Sequence, residues 1–151
     1  MKIIGADHTS YTVSNLERSL AFYHDLLGLK VIHIRPHITN QYFRDIIAFP
    51  DAVVKGALLA IPGTNTKLEL FEYVHPRGEA QNLRNNNPGN SHMAFFVDDL
   101  RALYDFLLTK GVQFRSPPIF LNEGPNIGGW ALYMLDPDGI TIEFMQQTPL
   151  T

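Results

Sequence analysis

The sequence predicts an α+β fold made of two similar βαβββ modules. Three observations carry this expectation. Apolar residues alternate with period two in some stretches and at helical spacing in others, turn signals separate the stretches, and the order of the first half recurs in the second. Ile3 to Val13, rich in β-branched and aromatic residues, reads as the first strand. Ser14-Asn15-Leu16-Glu17 then fits a capping box, with Ser14 accepting from the backbone and Glu17 reaching back. Leu16, Leu20, Tyr23 and Leu27 share one helical face, and Gly28 supplies a left-handed stop. Leu29 to Ile34 resumes as a strand. Gln41 to Asp51 has Phe43 and Ile47 at helical spacing. Gly56 to Ile61, a turn at Pro62-Gly63-Thr64-Asn65, and Leu68 to Tyr73 read as a hairpin.

The second half follows the same plan. Ser91 to Val97 is a strand, and Asp98 or Asp99 caps a helix whose apolar stripe is Leu100, Leu103, Phe106 and Leu107. Gly111 ends it, and Val112-Gln113-Phe114 begins the next strand. Gly129 to Leu135, a turn at Asp136-Pro137-Asp138-Gly139, and Ile140 to Met145 form the closing hairpin. Placing His8 on His92 also aligns Val13 with Val97, Leu16 with Leu100 and Leu20 with Tyr104, as an internal duplication would. The first module is longer, its surplus falling in residues 41–51. The expected organisation is an N-terminal module over residues 1–75, a polar linker over 76–90 containing Asn85-Asn86-Asn87-Pro88-Gly89, and a C-terminal module over 91–148. Neither module is large enough to stand comfortably alone, so the two are expected to form one domain.

Composition narrows the function. The 151 residues are 45% hydrophobic and 18% charged, an ordinary globular mix. A formal net charge of −3 with scattered basic residues argues against a nucleic-acid partner. No apolar run is long enough to span a membrane, and the N-terminus has neither the apolar core nor the cleavage site of a signal peptide. A soluble, cytoplasmic protein is expected. Without cysteine there is no disulfide, zinc–thiolate site or thiol nucleophile, so the chemistry falls to His, carboxylates or hydroxyls. Gly128-Gly129 is not set between a strand and a helix as a phosphate loop is, and no serine motif supports Ser-His-Asp catalysis.

His8 and His92 fall at equivalent places in the first strand of each module, and Glu69 and Glu143 at equivalent places in the last. A carboxylate set between large apolar residues, as in Leu68-Glu69-Leu70-Phe71 and Ile142-Glu143-Phe144, needs compensation if it is buried. Taken singly, each His is more simply a core or surface residue and each Glu a solvent-facing one. Taken together, two carboxylates and two imidazoles would neutralise and ligate a divalent cation.

The chain resembles the vicinal oxygen chelate superfamily, which includes glyoxalase I, methylmalonyl-CoA epimerase, extradiol dioxygenases and bleomycin-resistance proteins. The resemblance runs along nearly the whole chain. It is carried by Asp7-His8-Thr9-Ser10-Tyr11-Thr12-Val13-Ser14-Asn15-Leu16-Glu17, Phe22-Tyr23-His24-Asp25-Leu26-Leu27-Gly28-Leu29, and Leu68-Glu69-Leu70-Phe71. The second half adds Ser91-His92-Met93-Ala94-Phe95-Phe96-Val97-Asp98-Asp99-Leu100 and Asp136-Pro137-Asp138-Gly139-Ile140-Thr141-Ile142-Glu143. These motifs are specific for the superfamily and weak for any one reaction in it.

The resemblance implies a cupped mixed β-sheet around a cavity holding one divalent metal ion per chain, ligated by His8, Glu69, His92 and Glu143. Zinc, nickel, cobalt, iron and manganese all suit such donors. Residues two apart in a strand share a face, so Ser10, Lys67, Phe71, Ala94, Phe96, Thr141 and Met145 are expected to face the cavity, with Trp130 as a further lining residue. The implied function is a glyoxalase-type lyase or isomerase that stabilises an enediolate of a small carbonyl or carboxylate substrate. Glu143 is the first choice of base and Glu69 the second. Two alternatives stay open: an extradiol ring-cleaving dioxygenase, in which Glu69 would not ligate, and a metal-free, bleomycin-resistance-like binding protein. A homodimer is expected by analogy. Among other polar residues, His33, Arg35 and His37 alternate along the second strand, either as an exposed edge or as a contact for a substrate anion. Arg44 reads as a surface residue or as one that closes over a substrate, His24 as a solvent-facing helix residue and His75 as a loop residue.

Overall fold

The computed structural model describes residues 1–148 and divides into two compact units, Met1–Ala80 and a second beginning at Gln81. In the first unit β1 (His8–Thr12), β2 (Lys30–Ile38), β3 (Val53–Ala60) and β4 (Lys67–His75) form a mixed sheet in the order β1-β4-β3-β2. Strand β1 runs parallel to β4, and the other pairings are antiparallel. In the second unit β5 (Met93–Phe96), β6 (Gln113–Phe114), β7 (Ile119–Phe120), β8 (Trp130–Leu135) and β9 (Thr141–Gln146) give the order β5-β9-β8-β6, with β7 also paired to β8. The α+β class and the repeated order are those the sequence predicts.

Several elements differ in extent. The first strand begins at His8 rather than near Ile3, and Ile3 and Ile4 are exposed. Among the described residues its sheet partner is β4, which begins opposite His8 at Lys67, so earlier residues have no ladder to join. Helix α1 (Leu16–Leu20) is capped by Asn15 rather than Ser14: Asn15 Oδ1 accepts from the Arg18 N–H at 2.8 Å, the usual cap-to-N3 reach. Ser14 Oγ accepts from the Arg18 guanidinium, while Glu17 pairs with Lys55 at 3.0 Å instead of reaching back. The helix continues through a π-helical stretch, Ala21–Leu26, and stops at Gly28, whose φ of +79° a side chain would disfavour. Helix α2 (Gln41–Ile47) fills the predicted surplus between β2 and β3, and Arg44 donates to the Ala52 carbonyl rather than standing free.

Strand β2 runs four residues beyond the predicted end, to Ile38, with register shifts on both sides of the segment His33–Arg35. In the second unit the corresponding edge is broken into β6 and β7, which pair at opposite ends of β8. Ser116-Pro117-Pro118 lies between them, and proline has no N–H to give a ladder. Helix α3 (Leu100–Thr109) is capped by Asp99, whose carboxylate accepts from the Ala102 N–H at 2.9 Å. Leu100 and Leu107 are fully buried, but Phe106 is half exposed, and Tyr104 meets the Phe114 ring at 4.7 Å in its place.

The duplication is visible in how each helix is tied to its sheet. Glu72 in β4 accepts the Leu16 N–H at 2.9 Å, and Gln146 in β9 accepts the Leu100 N–H at 2.9 Å. These are the same contact in two chemistries, one charged and one neutral. Each sheet therefore has two distinct faces. One carries the helix over Leu68 and Leu70, or over Ile142 and Phe144. The other carries Glu69 and Phe71, or Thr141, Glu143 and Met145.

Candidate metal centre

Opposite the helix, each unit brings one histidine against one glutamate. In the first, His8 at the start of β1 places Nε2 3.4 Å from Glu69 Oε2. In the second, His92, just before β5, places Nε2 3.1 Å from Glu143 Oε2. Parallel pairing of the first and last strands in each unit produces both contacts, setting Ser10 beside Glu69 and Ala94 beside Glu143. The four residues singled out from the sequence are thus met as two pairs. Among the described residues, no three His, Cys, Asp or Glu side chains form a group able to hold a metal.

The first pair has a donor set that could hold a cation. His8 Nδ1 lies 2.8 Å from Asp7 Oδ2. Hydrogen bonds from Lys67 and then from His8 hold the Asp7 carboxyl below its ordinary range. An ionised carboxylate only accepts, so the proton of a neutral His8 sits on Nδ1 and the Nε2 lone pair faces Glu69. In that tautomer Nε2 and Oε2, 3.4 Å apart, can share a cation, while a doubly protonated ring would itself donate to Glu69. Donors about 2.1 Å from one metal ion at right angles are about 3.0 Å apart, and about 3.4 Å apart at the tetrahedral angle. The observed 3.4 and 3.1 Å separations fit two adjacent ligand positions in each unit.

The two glutamates differ in their surroundings. Glu69 is buried, and Arg35 Nη2 donates to its other oxygen at 3.1 Å. The Arg35 guanidinium lies 5.7 Å from the centre of the Phe71 ring. Glu143 has Tyr133 directly across from it on β8, and the Tyr133 ring centre is 5.0 Å from that of His92. Burial first, and the Glu143 charge second, push the Tyr133 phenol above its usual range.

The expected wall residues divide. Phe71 shares the Glu69 face but is buried with Ile38, Phe43, Ala52 and Val54. Thr141 and Met145 share the Glu143 face with Phe96, which is 66% exposed, while the buried Thr141 hydroxyl donates to Asn85 Oδ1. Trp130, expected as a lining residue, pairs with Gln146, on the helix-bearing face, and Arg101 stacks 4.3 Å over its ring. The single-residue alternation of β8 puts Ala131, not Trp130, beside Met145. His24 Nδ1 donates to the Leu29 carbonyl at 2.8 Å, closing the helix end rather than pointing only to solvent. Asp7 and Tyr133 were not singled out from the sequence. The Asp7-His8 dipeptide was a signal for the first; the second becomes visible only with the β8–β9 register.

These two units, each a mixed sheet with a helix on one face and a His–Glu pair on the other, define a duplicated α+β protein. Residues 5–144 match the Glyoxalase/Bleomycin resistance protein/Dioxygenase superfamily, and the chain belongs to that family. It is 28% identical over 145 residues to a 2-epi-5-epi-valiolone epimerase from an Actinomyces species, covering 94% of this chain and 79% of the epimerase. It is also 28% identical to a lactoylglutathione lyase of Schizosaccharomyces pombe, covering 94% of this chain but only about half, 47%, of the lyase. The crystal structure of a glyoxalase family protein from Bacillus cereus superimposes with a TM-score of 0.84, covering 97% of this chain and 96% of that one at 17% identity.

Proposed function

We propose that this chain is a divalent-metal-dependent lyase or isomerase that moves a proton next to a carbonyl or carboxylate of a small molecule. The observation that carries the reading is the repeated His–Glu contact, 3.4 Å in one unit and 3.1 Å in the other, each on the sheet face away from the helix. His8, Glu69, His92 and Glu143 are the ligands in this reading. The bound metal would polarise the substrate carbonyl and so acidify the neighbouring C–H. Glu143, which among the described residues has no arginine ion pair, takes that proton and returns it, with Glu69 the second choice. Tyr133, whose hydroxyl is 3.5 Å from His92 Nε2, keeps its proton and orients that imidazole. Proton removal and return of this kind inverts a stereocentre or isomerises a hydroxy-ketone, which suits relatives that are an epimerase and a lyase by name. A cytoplasmic homodimer belongs to the same reading. Among the described residues no helix is long and apolar enough to cross a membrane.

One observation favours a second reading. Arg35 already occupies one oxygen of Glu69, as it would if only His8, His92 and Glu143 bound the metal, the three-ligand pattern of a ring-cleaving dioxygenase. Metal content by mass spectrometry of untagged wild type, His8→Ala and Glu69→Ala separates the two. About one metal per chain, lost in both variants, supports the four-ligand lyase or isomerase. Loss in His8→Ala alone supports the dioxygenase. No metal in the wild type, even after reconstitution, refutes both and leaves a binding protein.

A further inference from the structure

We propose that Arg35 is a positioning residue that pins Glu69 by one oxygen and so makes the two glutamates unequal, Glu69 fixed and Glu143 movable. The inference rests on the metal-dependent reading above and adds a residue to it.

The device is built from three strands. Arg35 on β2 stands opposite Gly56 on β3, and Gly56 stands opposite Phe71 on β4. Residues paired across a sheet share a face, so Arg35, Phe71 and, two residues before it, Glu69 all face one side. Gly56 is what lets them meet. A Cβ there would come within 2.9 Å of the Phe71 ring and 3.1 Å of Ile38. Its absence lets the ring lie down over β3, and Arg35 extends over the ring to reach Glu69 Oε1 at 3.1 Å. With Oε1 held by the guanidinium, Oε2 is the oxygen left facing His8. A planar guanidinium lying over an aromatic ring has little rotational freedom, so the carboxylate it holds is fixed in orientation.

The duplication supplies an internal control. The second-unit row that matches Arg35, Gly56 and Phe71 is Ile119, Ala131 and Met145, paired in the same way across β7, β8 and β9. Ile119 has no charge to offer, and it is half exposed. Glu143 therefore has a histidine beside it and a tyrosine across from it, but no cation on its second oxygen among the contacts of its own unit. The sequence has kept the His–Glu pair in both halves and placed the clamp in only one.

The test is a Co2+ titration by calorimetry on wild type, Arg35→Met, Arg35→Lys, Glu69→Gln and the Arg35→Met/Glu69→Gln double variant. Far-UV circular dichroism and thermal melts establish that each is folded. Methionine keeps the length of apolar contact with Phe71 and removes the fork. The expected result is Co2+ binding about 10- to 100-fold weaker in Arg35→Met, as for other groups that orient a ligand from behind. Lysine, a single point donor, should recover only part of it. In the Glu69→Gln background the Arg35→Met change should have almost no further effect, an outcome that a general loss of fold would not give. Unchanged or tighter Co2+ binding in folded Arg35→Met overturns the proposal, since the arginine would then act only as a charge opposing the cation. Absence of Co2+ binding in the wild type instead overturns the metal-dependent reading, and the proposal with it.

Discussion

Replacing the two residues that tie helix to sheet, one at a time, should cost unequal amounts of stability. Glu72 and Gln146 accept the first N–H of α1 and α3 at the same distance, 2.9 Å, from equivalent places in β4 and β9. These N–H groups have no partner inside their helices, so truncation leaves them unsatisfied. A neutral acceptor such as Gln146 contributes about 1 kcal/mol and a charged one about 1.5–3. The Glu72 carboxylate adds the favourable interaction of an anion with a helix N-terminus, up to about 1 kcal/mol for so short a helix. Its contacts with Lys55 at 3.4 Å and Arg77 at 3.9 Å add little, because Arg77 is largely exposed and Lys55 also pairs with Glu17. Glu72→Ala should therefore cost about 3 kcal/mol and Gln146→Ala about 1, with Glu72→Gln bringing the first unit close to the second. Native-state amide exchange reads α1 and α3 separately, so each variant can be assigned to its own helix. If protection in α3 falls as far in Gln146→Ala as protection in α1 falls in Glu72→Ala, the charge on Glu72 is not the source of the difference and the reasoning fails.

Further predictions concern the site. Gly56→Val drives a side chain into Phe71 and Ile38; it should lower stability by about 1–3 kcal/mol in urea denaturation and weaken Co2+ binding as Arg35→Met does. Wild-type stability and affinity in Gly56→Val would contradict the close approach. Tyr133 should titrate above the ordinary tyrosine range, and Glu143→Gln should bring it part of the way down, because burial, the larger cause, remains. A phenol whose pKa is raised by folding stabilises the fold fully below the unfolded value of about 10 and loses that contribution as pH rises through the folded value. Carbon-13 labelling of the tyrosine rings gives the titration residue by residue, and an unshifted Tyr133 would be inconsistent with its placement opposite Glu143.

The sequence made the fold readable where local signals agreed. The Gly28 stop, the Asp99 cap and the two closing hairpins stand where their residues place them. It was misleading where several residues offered the same chemistry or where the partner strand decided. Ser14 and Asn15 are both good caps, and only the reach to the Arg18 N–H chooses Asn15. Ile3 and Ile4 have strand chemistry but nothing to pair with. Ser116-Pro117-Pro118 carries the signal of a broken edge, because proline has no N–H for the ladder. For the site, symmetry between halves singles out His8, His92, Glu69 and Glu143, and the structure sets each histidine against the glutamate of its own unit. Tyr133 and the Arg35–Glu69 contact stayed hidden because each depends on a cross-strand register that alternation within one strand does not specify.

In both sheets the strand made last in its unit lies inside the sheet, between the first strand and the one made just before it: β4 between β1 and β3, and β9 between β5 and β8. Among the described residues of its own unit the opening strand pairs with no other strand, so during synthesis it waits, unpaired within that unit, until the closing strand has left the ribosome. The same closing strand brings the acceptor for the helix N–H, 56 residues later in one unit and 46 in the other. Each half is thus completed by a single late event rather than assembled strand by strand. With residues up to 66 outside the ribosome and β4 still within it, helices α1 and α2, the paired β2 and β3, and an orphan β1 would be exposed to chaperones. The emergence of the nine residues of β4 completes the first sheet.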